Sequence, residues 1–368
     1  MIKKLKIFLD FIQKEIRYLL LKNKEIKNIK NKRKIYETVT LTKKQEKEII
    51  DFYRKNYGKK IDTRWHRLYQ SYTGKFDKKY FPEILFSTKL EPILADRNIS
   101  KQLTDKSMVE LLYSGVKDLY IPKTVVLNCN GIWYDEKRNI ISSKKAYEIL
   151  SNCGKKVWKK IVDSSSGRSV IITNIINEYD KKNNMKLCDL IKKYGDNFIV
   201  QECITNNKQL SKLYDKSLNT FRVITYTIDG KMYHVPIALR IGSAGNEVDN
   251  IHAGGMFIGV KDDGNLMNMA FTEYKKEYLQ HPDSKVKFES YKIDGIDKMI
   301  NIAYKCHGRT PHIKLISWDF TINDKNEIVL IEVNLNGQSI WFPQMANGRS
   351  AFGDNTEYML NLIKCGRK

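Results

Sequence analysis

The amino-terminal segment, residues 1–34, follows a helical pattern of apolar and polar positions. Apolar side chains recur three or four positions apart, at Ile2, Leu5, Leu9, Ile12, Ile16 and Leu19. This spacing predicts an amphipathic helix. The segment has twelve basic and three acidic residues, a net charge of +9. Such a helix either lies on an anionic membrane surface or packs on its own domain or on a second subunit, and the pattern leaves both open.

The next stretch, residues 35–104, contains a predicted helix start and many aromatic residues. Thr42 is followed three positions later by Gln45, which is the spacing of a capping box. Aromatic and basic residues are interleaved between Trp65 and Phe81. Such side chains can stack on nucleobases, but the stretch contains no recognisable nucleic-acid-binding module. We therefore expect the core of an accessory domain here.

Helix and strand patterns alternate in the middle of the chain. Helices are predicted at 103–115, 142–150 and 185–194, and strands at 121–127, 157–162, 170–173 and 198–204. Further strands are predicted at 221–228, 231–241 and 256–260. Alternating elements followed by a strand-rich half predict an α+β protein. Arg222 and Arg240 fall within predicted buried strands, where an arginine is costly unless it faces an anion.

Two apolar runs within residues 317–334 are joined by the polar turn 323–326 and predict a β-hairpin. Glu332 and Asn334 lie two positions apart on its second strand, so they share one face. Asp319, on the first strand, falls opposite them if the hairpin closes around its turn. Such oxygen ligands suit Mg²⁺, which binds one or two carboxylates together with water and phosphate oxygens. The alternative is a solvated face of an edge hairpin.

Length and composition limit the classes of protein. A chain of 368 residues can form two or three lobes. Its 65 Lys and Arg against 42 Asp and Glu leave a charge of +23, which implies an anionic partner: nucleic acid, an anionic membrane, or a phosphorylated or carboxylated substrate. Six scattered cysteines argue against a zinc site or disulfide framework. Since no apolar run is long enough to span a membrane and no secretory signal is evident, we expect a cytoplasmic protein.

Short motifs of this chain, taken in order, resemble those of the ATP-grasp superfamily, and more closely its sugar-transfer-associated branch. The resemblance covers roughly residue 100 onward, and its specificity comes from the ordered series rather than from any one motif. The motifs are Asp105-Lys106, Lys160 with Asp163-Ser164-Ser165-Ser166-Gly167, Gln201-Glu202-Cys203-Ile204, Asn219-Thr220-Phe221-Arg222, Leu239-Arg240-Ile241-Gly242 with Asp249-Asn250 and Gly254-Gly255, His281-Pro282-Asp283, Trp318-Asp319, and Ile331-Glu332-Val333-Asn334.

The resemblance implies an ATP-grasp fold, in which two α+β lobes hold ATP, preceded here by a mainly helical extension. It implies that two ammonium groups contact the ATP phosphates, those of Lys106 and Lys160. A flap of small residues would cover the phosphates, formed by Ser164, Ser165, Ser166 and Gly167. The adenine would lie beside a hinge formed by Gln201, Glu202 and Ile204, and a later polar residue, Gln209, would reach the ribose.

The same resemblance implies how charge is managed around the phosphates. Mg²⁺, with two ions expected and Mn²⁺ as a possible substitute, would be held by Asp319, Glu332 and Asn334. Arg222 and Arg240 would stabilise the charge that develops on the transferring phosphoryl group and its acceptor.

One position departs from the family pattern. Family members commonly carry Pro directly after the flap lysine, and this chain has Ile161 there. Because Pro fixes a local turn, its loss could shift the flap and let Lys159 point inward instead. We favour Lys160 as the phosphate ligand.

We expect four segments: a basic helical arm at 1–34, an accessory domain at 35–104, a first lobe with the flap at 105–200, and a second lobe with the magnesium site at 201–368. The resemblance implies a carboxylate–amine ligase that works through an acylphosphate on a cell-surface polysaccharide of capsular or O-antigen type, or on its sugar precursor. The alternatives are a kinase-like phosphotransferase and a non-catalytic basic protein that binds membrane or nucleic acid.

Overall fold

The computed structural model describes residues 2–96, 99–100, 103, 105–161, 170–246, 249, 251 and 254–366. The amino-terminal part is helical, as its periodicity predicts. The helices that lie wholly within the described residues are α1 Ile2–Asn31, α2 Arg33–Tyr36, α3 Lys43–Tyr57, α4 Arg64–Thr73, α5 Glu83–Leu85, a π-helical turn Phe86–Leu90, α6 Glu91–Leu94, α7 Met108–Tyr113, α8 Ser143–Ser151, α9 Leu187–Tyr194, α10 Lys208–Leu213, α11 Ile296–His307, α12 Trp341–Asn347, a 3₁₀ turn Gly353–Asn355, and α13 Thr356–Cys365.

The predicted capping box begins helix α3. The Gln45 main-chain nitrogen donates to the Thr42 hydroxyl at 3.2 Å, and the Thr42 nitrogen donates to Gln45 Oε1 at 3.0 Å. The helix ends at Gly58, whose φ of +81° lies in the left-handed region that glycine adopts without steric cost. Local sequence therefore fixes both ends of this helix.

The strands form two sheets in the described part of the chain. In chain order they are β1 Leu119–Tyr120, β2 Thr124–Cys129, β3 Ile132–Tyr134, β4 Ile140–Ile141, β5 Gly154–Lys160, β6 Val170–Ile176, β7 Tyr179–Asp180, β8 Met185–Lys186, β9 Phe198–Glu202, β10 Thr220–Ile228, β11 Lys231–His234, β12 Ile237–Ile241, β13 Met256–Val260, β14 Leu266–Phe271, β15 Glu277–Tyr278, β16 Leu315–Ile322 and β17 Ile328–Asn334.

The larger sheet has the strand order β1-β17-β16-β10-β12-β13-β14-β15, with β11 paired to β10. Its strands are antiparallel except for the parallel pair β1 and β17. The smaller sheet has the order β4-β3-β2-β9-β5-β6-β7-β8 and is antiparallel throughout. Helices and two mainly antiparallel sheets confirm the predicted α+β class.

Some predicted boundaries differ from the structure for local reasons. The predicted strand at 231–241 is divided into β11 and β12, because Pro236 has no N–H to donate to a sheet. The predicted helix at 185–194 begins only at Leu187, after the short strand β8. The hairpin β3–β4 was not predicted, because strands of three and two residues are too short to show a period.

The amino-terminal helices share a hydrophobic core with the larger sheet and with helix α13. One cluster of buried side chains joins α3 and residues 81–94 to β10 and to residues 351–363. The other face of the sheet carries a separate core, which includes Trp318, Phe320 and the buried side of α11. The larger sheet is therefore covered on both faces. No helix among the described residues is both long enough and apolar enough to cross a membrane.

Candidate active site

The hairpin of β16 and β17 forms as predicted and brings its polar side chains together. Its turn is closed by Asn323, whose side-chain oxygen accepts from the main-chain nitrogens of Lys325 at 3.1 Å and Glu327 at 2.8 Å. In the resulting register Asp319 lies opposite Glu332, and Ser317 lies opposite Asn334. The side chains proposed as metal ligands therefore lie on two cross-strand pairs of the hairpin, with the pair Trp318 and Val333 between them.

Asp319 is the most buried of these side chains, with 2% of its surface exposed. The next strand, β10, places Arg222 directly beside it. Arg222 Nε donates to Asp319 Oδ1 at 2.6 Å, and its Nη2 donates to Oδ2 at 3.2 Å. Arg240 Nη2 donates to Oδ2 at 3.1 Å. Burial opposes ionisation of this carboxyl, but the two arginines outweigh burial and lower the pKa of Asp319.

Arg240 is held on its other side by Thr220 and Asp249. Its Nε and Nη2 donate to the Thr220 hydroxyl at 3.0 and 2.6 Å, and its Nε lies 3.5 Å from Asp249 Oδ2. The Thr220 hydroxyl also bonds to that carboxylate. Burial opposes the charge of Arg240, but Asp249, Asp319 and Glu332 together raise its pKa. The guanidinium therefore stays charged in the interior.

Glu332 connects the hairpin to the segment before the smaller sheet. Its Oε1 lies 2.9 Å from the Lys106 ammonium, and the Lys106 main-chain nitrogen donates to the carbonyl oxygen of Ile161 at 3.1 Å. Lys106 thus stands between the smaller sheet and the hairpin. The ion pair with Glu332 and the main-chain bond to Ile161 hold Lys106 in this position.

Lys159 and Lys160 lie side by side near the end of β5. Adjacent residues on a strand point to opposite faces. The Lys160 ammonium donates to the carbonyl oxygens of Tyr194 and Asp196, the latter at 3.3 Å, and so faces the turn after α9. Lys159 faces the charges of Lys106 and Glu332 instead. Burial and, to a smaller extent, repulsion by Lys106 lower the pKa of Lys159 to about 8, although Glu332 acts in the opposite direction. Of the two lysines, Lys159 is therefore the one that lies on the side of Lys106 and Glu332.

The hinge residues tie β9 to the segment before β2. Gln201 Nε2 donates to the carbonyl oxygen of Pro122 at 3.1 Å. Glu202 Oε1 accepts from the Tyr120 hydroxyl at 2.5 Å and from the Lys123 nitrogen at 2.8 Å. Ile204 is half-buried just beyond the strand. These side chains fix the hinge, so a nucleotide beside it would use main-chain groups.

Gln209, which was expected to contact the ribose, forms hydrogen bonds with the loop that precedes α11. Its Nε2 donates to Asp294 Oδ2 at 3.0 Å and to the Lys292 carbonyl oxygen at 3.3 Å, and its Oε1 accepts from the Asp294 nitrogen at 3.1 Å. All of the polar atoms of this carboxamide are thus engaged by one loop. The expected flap residues lie outside the described residues, namely Ser164, Ser165, Ser166 and Gly167.

The hairpin side chains fit a hard divalent cation. Two carboxylates and one amide offer oxygen ligands of the kind that Mg²⁺ binds. The Asn334 amide nitrogen is buried and has no hydrogen-bond partner within the described ranges, so the amide can turn to present its oxygen without losing a bond. Among the described residues no three His, Cys, Asp or Glu side chains gather at one point. A metal here would therefore also need phosphate or water oxygens, and it would share Asp319 with the two arginines.

Some residues of this cluster were not predicted as site residues. Thr220 and Asp249 belong to two of the motifs that resemble the family, but no pattern in the sequence indicated that they contact Arg240. Phe342, on α12, lies with its ring centroid 5.6 Å from the Arg222 guanidinium carbon. Such contacts depend on tertiary structure, for which a single sequence carries no periodic signal.

The α+β lobes, the paired carboxylates of the hairpin and the flanking basic side chains define an ATP-grasp protein. The sequence profile of the family described as "Sugar-transfer associated ATP-grasp" matches residues 85–358, well over half of the chain. The chain belongs to this family. It therefore has the ATP-grasp fold, preceded by the helical segment.

Solved structures similar to this chain are distant relatives. A D-alanine–D-alanine ligase from Coxiella burnetii is 11% identical, with a TM-score of 0.41, and the match covers 74% of this chain and 60% of that one. A D-Ala:D-Ser ligase from Enterococcus faecalis is 15% identical, with a TM-score of 0.42 and coverage of 73% and 63%. The chain spans 46% to 60% of the length of the first three structures it matches. A search of curated proteins by sequence finds no match.

Proposed function

We propose that this protein is an ATP-dependent carboxylate–amine ligase. The observation that carries the proposal is the row of charged side chains across three adjacent strands, in which Arg222, Asp319 and Glu332 are neighbours and Arg240 and Lys106 flank them. Three cationic groups beside two carboxylates suit a reaction in which an anionic substrate approaches a triphosphate. The family and the ligase neighbours support the same class of reaction.

In the proposed reaction a carboxylate oxygen of the first substrate attacks the γ-phosphorus of ATP. The bond from that phosphorus to the β,γ-bridging oxygen breaks, and ADP leaves with the electron pair. An amine then attacks the carbonyl carbon of the acylphosphate, phosphate departs, and the amine proton passes to solvent or phosphate. Lys106 and Lys159 would bind phosphate oxygens, while Arg222 and Arg240 would orient the carboxylate and stabilise the transferring phosphoryl group.

Asp319, Glu332 and Asn334 would hold magnesium, which supplies charge neutralisation between the phosphate groups when bound. Hinge residues from Gln201 to Ile204 would border the adenine. We retain as proposals the flap role of residues 164–167, the ribose contact of Gln209 and the four-segment division of the chain. Because the two arginines and the proposed metal ligands all lie on strands of the larger sheet, their positions relative to one another are set before substrates arrive.

The family name suggests a sugar substrate, and we propose a uronic acid joined to an amine, or an amino sugar joined to an acid, on a cell-surface polysaccharide or its precursor. The test is a screen of acid and amine pairs for release of ADP and phosphate. Hydroxylamine in place of the amine should give a hydroxamate, because acylphosphates react with it. ADP release on a hydroxyl acceptor without hydroxamate would instead support the phosphotransferase. The absence of ADP release with every pair would contradict the ligase.

We also propose that α1 lies on the anionic inner surface of the cytoplasmic membrane. Six apolar side chains share one stripe of this helix and are 49% to 66% exposed, namely Leu5, Phe8, Leu9, Ile16, Leu19 and Leu20. The other half of the helix packs on the protein, since Glu25 and Ile29 are 5% and 2% exposed. An apolar stripe on a helix rich in lysine is typical of interfacial helices. A substrate on a lipid carrier would then be close to the site.

Vesicle sedimentation tests this attachment. The full chain should bind vesicles that contain phosphatidylglycerol, bind neutral phosphatidylcholine vesicles weakly, and dissociate at high salt. The double substitution Leu9→Asp with Leu20→Asp should abolish binding. The control, Gln13→Asp with Asn23→Asp, introduces the same charge at polar positions of α1 and should retain most of the vesicle binding. Equal binding by the wild type and the first variant would refute the proposal.

A further inference from the structure

A buried glutamine outside the charged cluster links both strands of the metal-binding hairpin. Gln338 follows β17 by four residues and is 3% exposed. Its Oε1 accepts from the Ser317 hydroxyl at 2.6 Å, and its Nε2 donates to the Leu315 carbonyl oxygen at 3.0 Å. Both contacts are with β16, the strand that carries Asp319. The segment leaving β17 is thereby bonded back to its partner strand.

The contact with Ser317 lies next to the proposed ligands. Ser317 is fully buried, two residues before Asp319, and is the cross-strand partner of Asn334. Its side chain therefore lies on the face of the hairpin that carries Asp319 and Asn334. A shift of Gln338 would move Ser317 and the rung that it forms with Asn334.

Gln338 is itself held by a buried carboxylate from the amino-terminal helices. Its main-chain nitrogen donates to Glu91 Oε1 at 2.7 Å. Two residues on, the Ile340 nitrogen lies 3.3 and 3.2 Å from the two oxygens of Glu83. Glu83 and Glu91 are 3% and 5% exposed. Carboxylates this deeply buried are costly unless they bond, and these two bond to the segment that leaves the hairpin.

Cations of α1 act on the same carboxylates. Arg17 and Lys24 both attract Glu91, and Lys24 also attracts Glu83. The helix therefore belongs to the support of the segment 337–340. Removing Gln338, Glu83 or Glu91 leaves buried polar groups without partners, and such groups are expensive in the interior.

We propose that Gln338, anchored by Glu91, is a positioning residue that sets the spacing between Asp319 on β16 and Asn334 on β17. The inference rests on the proposed function, because it assumes that these side chains hold the metal of a metal–nucleotide complex. Neither Gln338 nor Glu91 touches the metal or the nucleotide. They act through the hairpin, as outer-shell partners of metal ligands do elsewhere.

Calorimetry with ADP, once with MgCl₂ and once with EDTA, tests the proposal on the full chain. Gln338→Ala should raise the Kd for ADP in MgCl₂ by about 10-fold or more, the usual effect of losing an outer-shell partner, and change the Kd in EDTA by less than about 2-fold. Glu91→Ala should act in the same direction. Glu91→Gln keeps an acceptor oxygen beside the Gln338 nitrogen and should restore the wild-type magnesium dependence.

Asn347→Ala is the matched control. Asn347 is another buried amide, which donates to the carbonyl oxygens of Ile237 and Pro343, both at 2.9 Å; neither residue belongs to the hairpin. Its loss should lower thermal stability without altering magnesium dependence. If Gln338→Ala does not fold, Ser317→Ala breaks the next link and serves instead. An unchanged magnesium dependence in the folded variant would overturn the proposal. A wild type without magnesium-dependent ADP binding would overturn the proposed function first.

Discussion

Arg222 lies on the strand next to Asp319 and donates two hydrogen bonds to it, of 2.6 and 3.2 Å, one to each carboxylate oxygen. A guanidinium makes this fork-shaped contact and an ammonium does not. The pair holds both groups charged in a nearly dry position. It also directs the remaining face of the guanidinium toward Phe342. The geometry of this pair leads to the first prediction.

Arg222→Lys should lower kcat by about 10²-fold to 10³-fold, the range observed when one preorganised donor is removed from a transition state. The lysine keeps the positive charge beside buried Asp319, so the variant should remain folded. Steady-state ADP release measures kcat, and circular dichroism reports the fold. Arg349→Lys, away from the hairpin, is the matched control. A kcat within about 2-fold of wild type would show that Arg222 is structural.

Lys159→Gln should raise the KM for ATP about 10-fold to 100-fold, because a hydrogen bond to a charged phosphate contributes about 1.5–3 kcal/mol. Lys160→Gln is the matched control, since the Lys160 ammonium bonds to carbonyl oxygens at 194–196. It should change the KM by less than about 3-fold. The opposite ranking of the two variants would return the phosphate role to Lys160.

The kcat/KM for ATP should decrease as the pH is raised above about 8. Burial and the neighbouring Lys106 lower the pKa of Lys159 to about 8. The charged ammonium therefore predominates below that pH and is lost above it. Since kcat/KM reports the free enzyme, the descending limb belongs to this lysine. Lys159→Arg should move the limb to higher pH, because guanidinium stays charged. A limb unchanged in that variant would assign it to another group.

Glu332→Gln should abolish magnesium-dependent ATP turnover, with kcat reduced about 10²-fold or more, because the site loses one of its two carboxylates. EDTA should do the same to the wild type, and Mn²⁺ should restore activity. Gln is nearly isosteric with Glu, so thermal unfolding should change little. Full turnover by Glu332→Gln would refute the proposed metal site.

Glu91→Gln should flatten the dependence of stability on pH. Burial raises the pKa of Glu91 from 4.5 to about 7, despite hydrogen bonds from 337–338 and attraction by Arg17 and Lys24. The folded protein thus holds a proton that the unfolded chain releases, so the contribution of Glu91 to stability is complete below about pH 4.5 and is lost as the pH rises through about 7. Urea unfolding at pH 5 and pH 8 should show a decline smaller by about 3 kcal/mol in the variant. An identical decline would mean that Glu91 does not titrate in this range.

The local pattern of apolar, polar and turn-forming residues was sufficient to predict the hairpin of β16 and β17. The hairpin closed around the turn at Asn323, and its two-residue period placed Glu332 and Asn334 on one face as predicted. The orientation of Lys159 and Lys160 could not be predicted in this way, because it depends on where β5 pairs with β9. The bond from Gln338 to Glu91 joins residues 247 positions apart. No periodic signal in one sequence reports such a contact.

The core shared by α3, residues 81–94 and α13 has a consequence for the order of folding. Residues 49–94 are synthesised long before residues 351–363, yet each set buries its apolar side chains on the other and on β10. Until the later residues are made, Phe52, Phe86 and Leu90 lack part of the surface that covers them. Contacts this far apart in sequence form slowly and leave apolar surface exposed in the meantime. The nascent chain therefore exposes, until its last residues are made, apolar surface that the finished protein conceals.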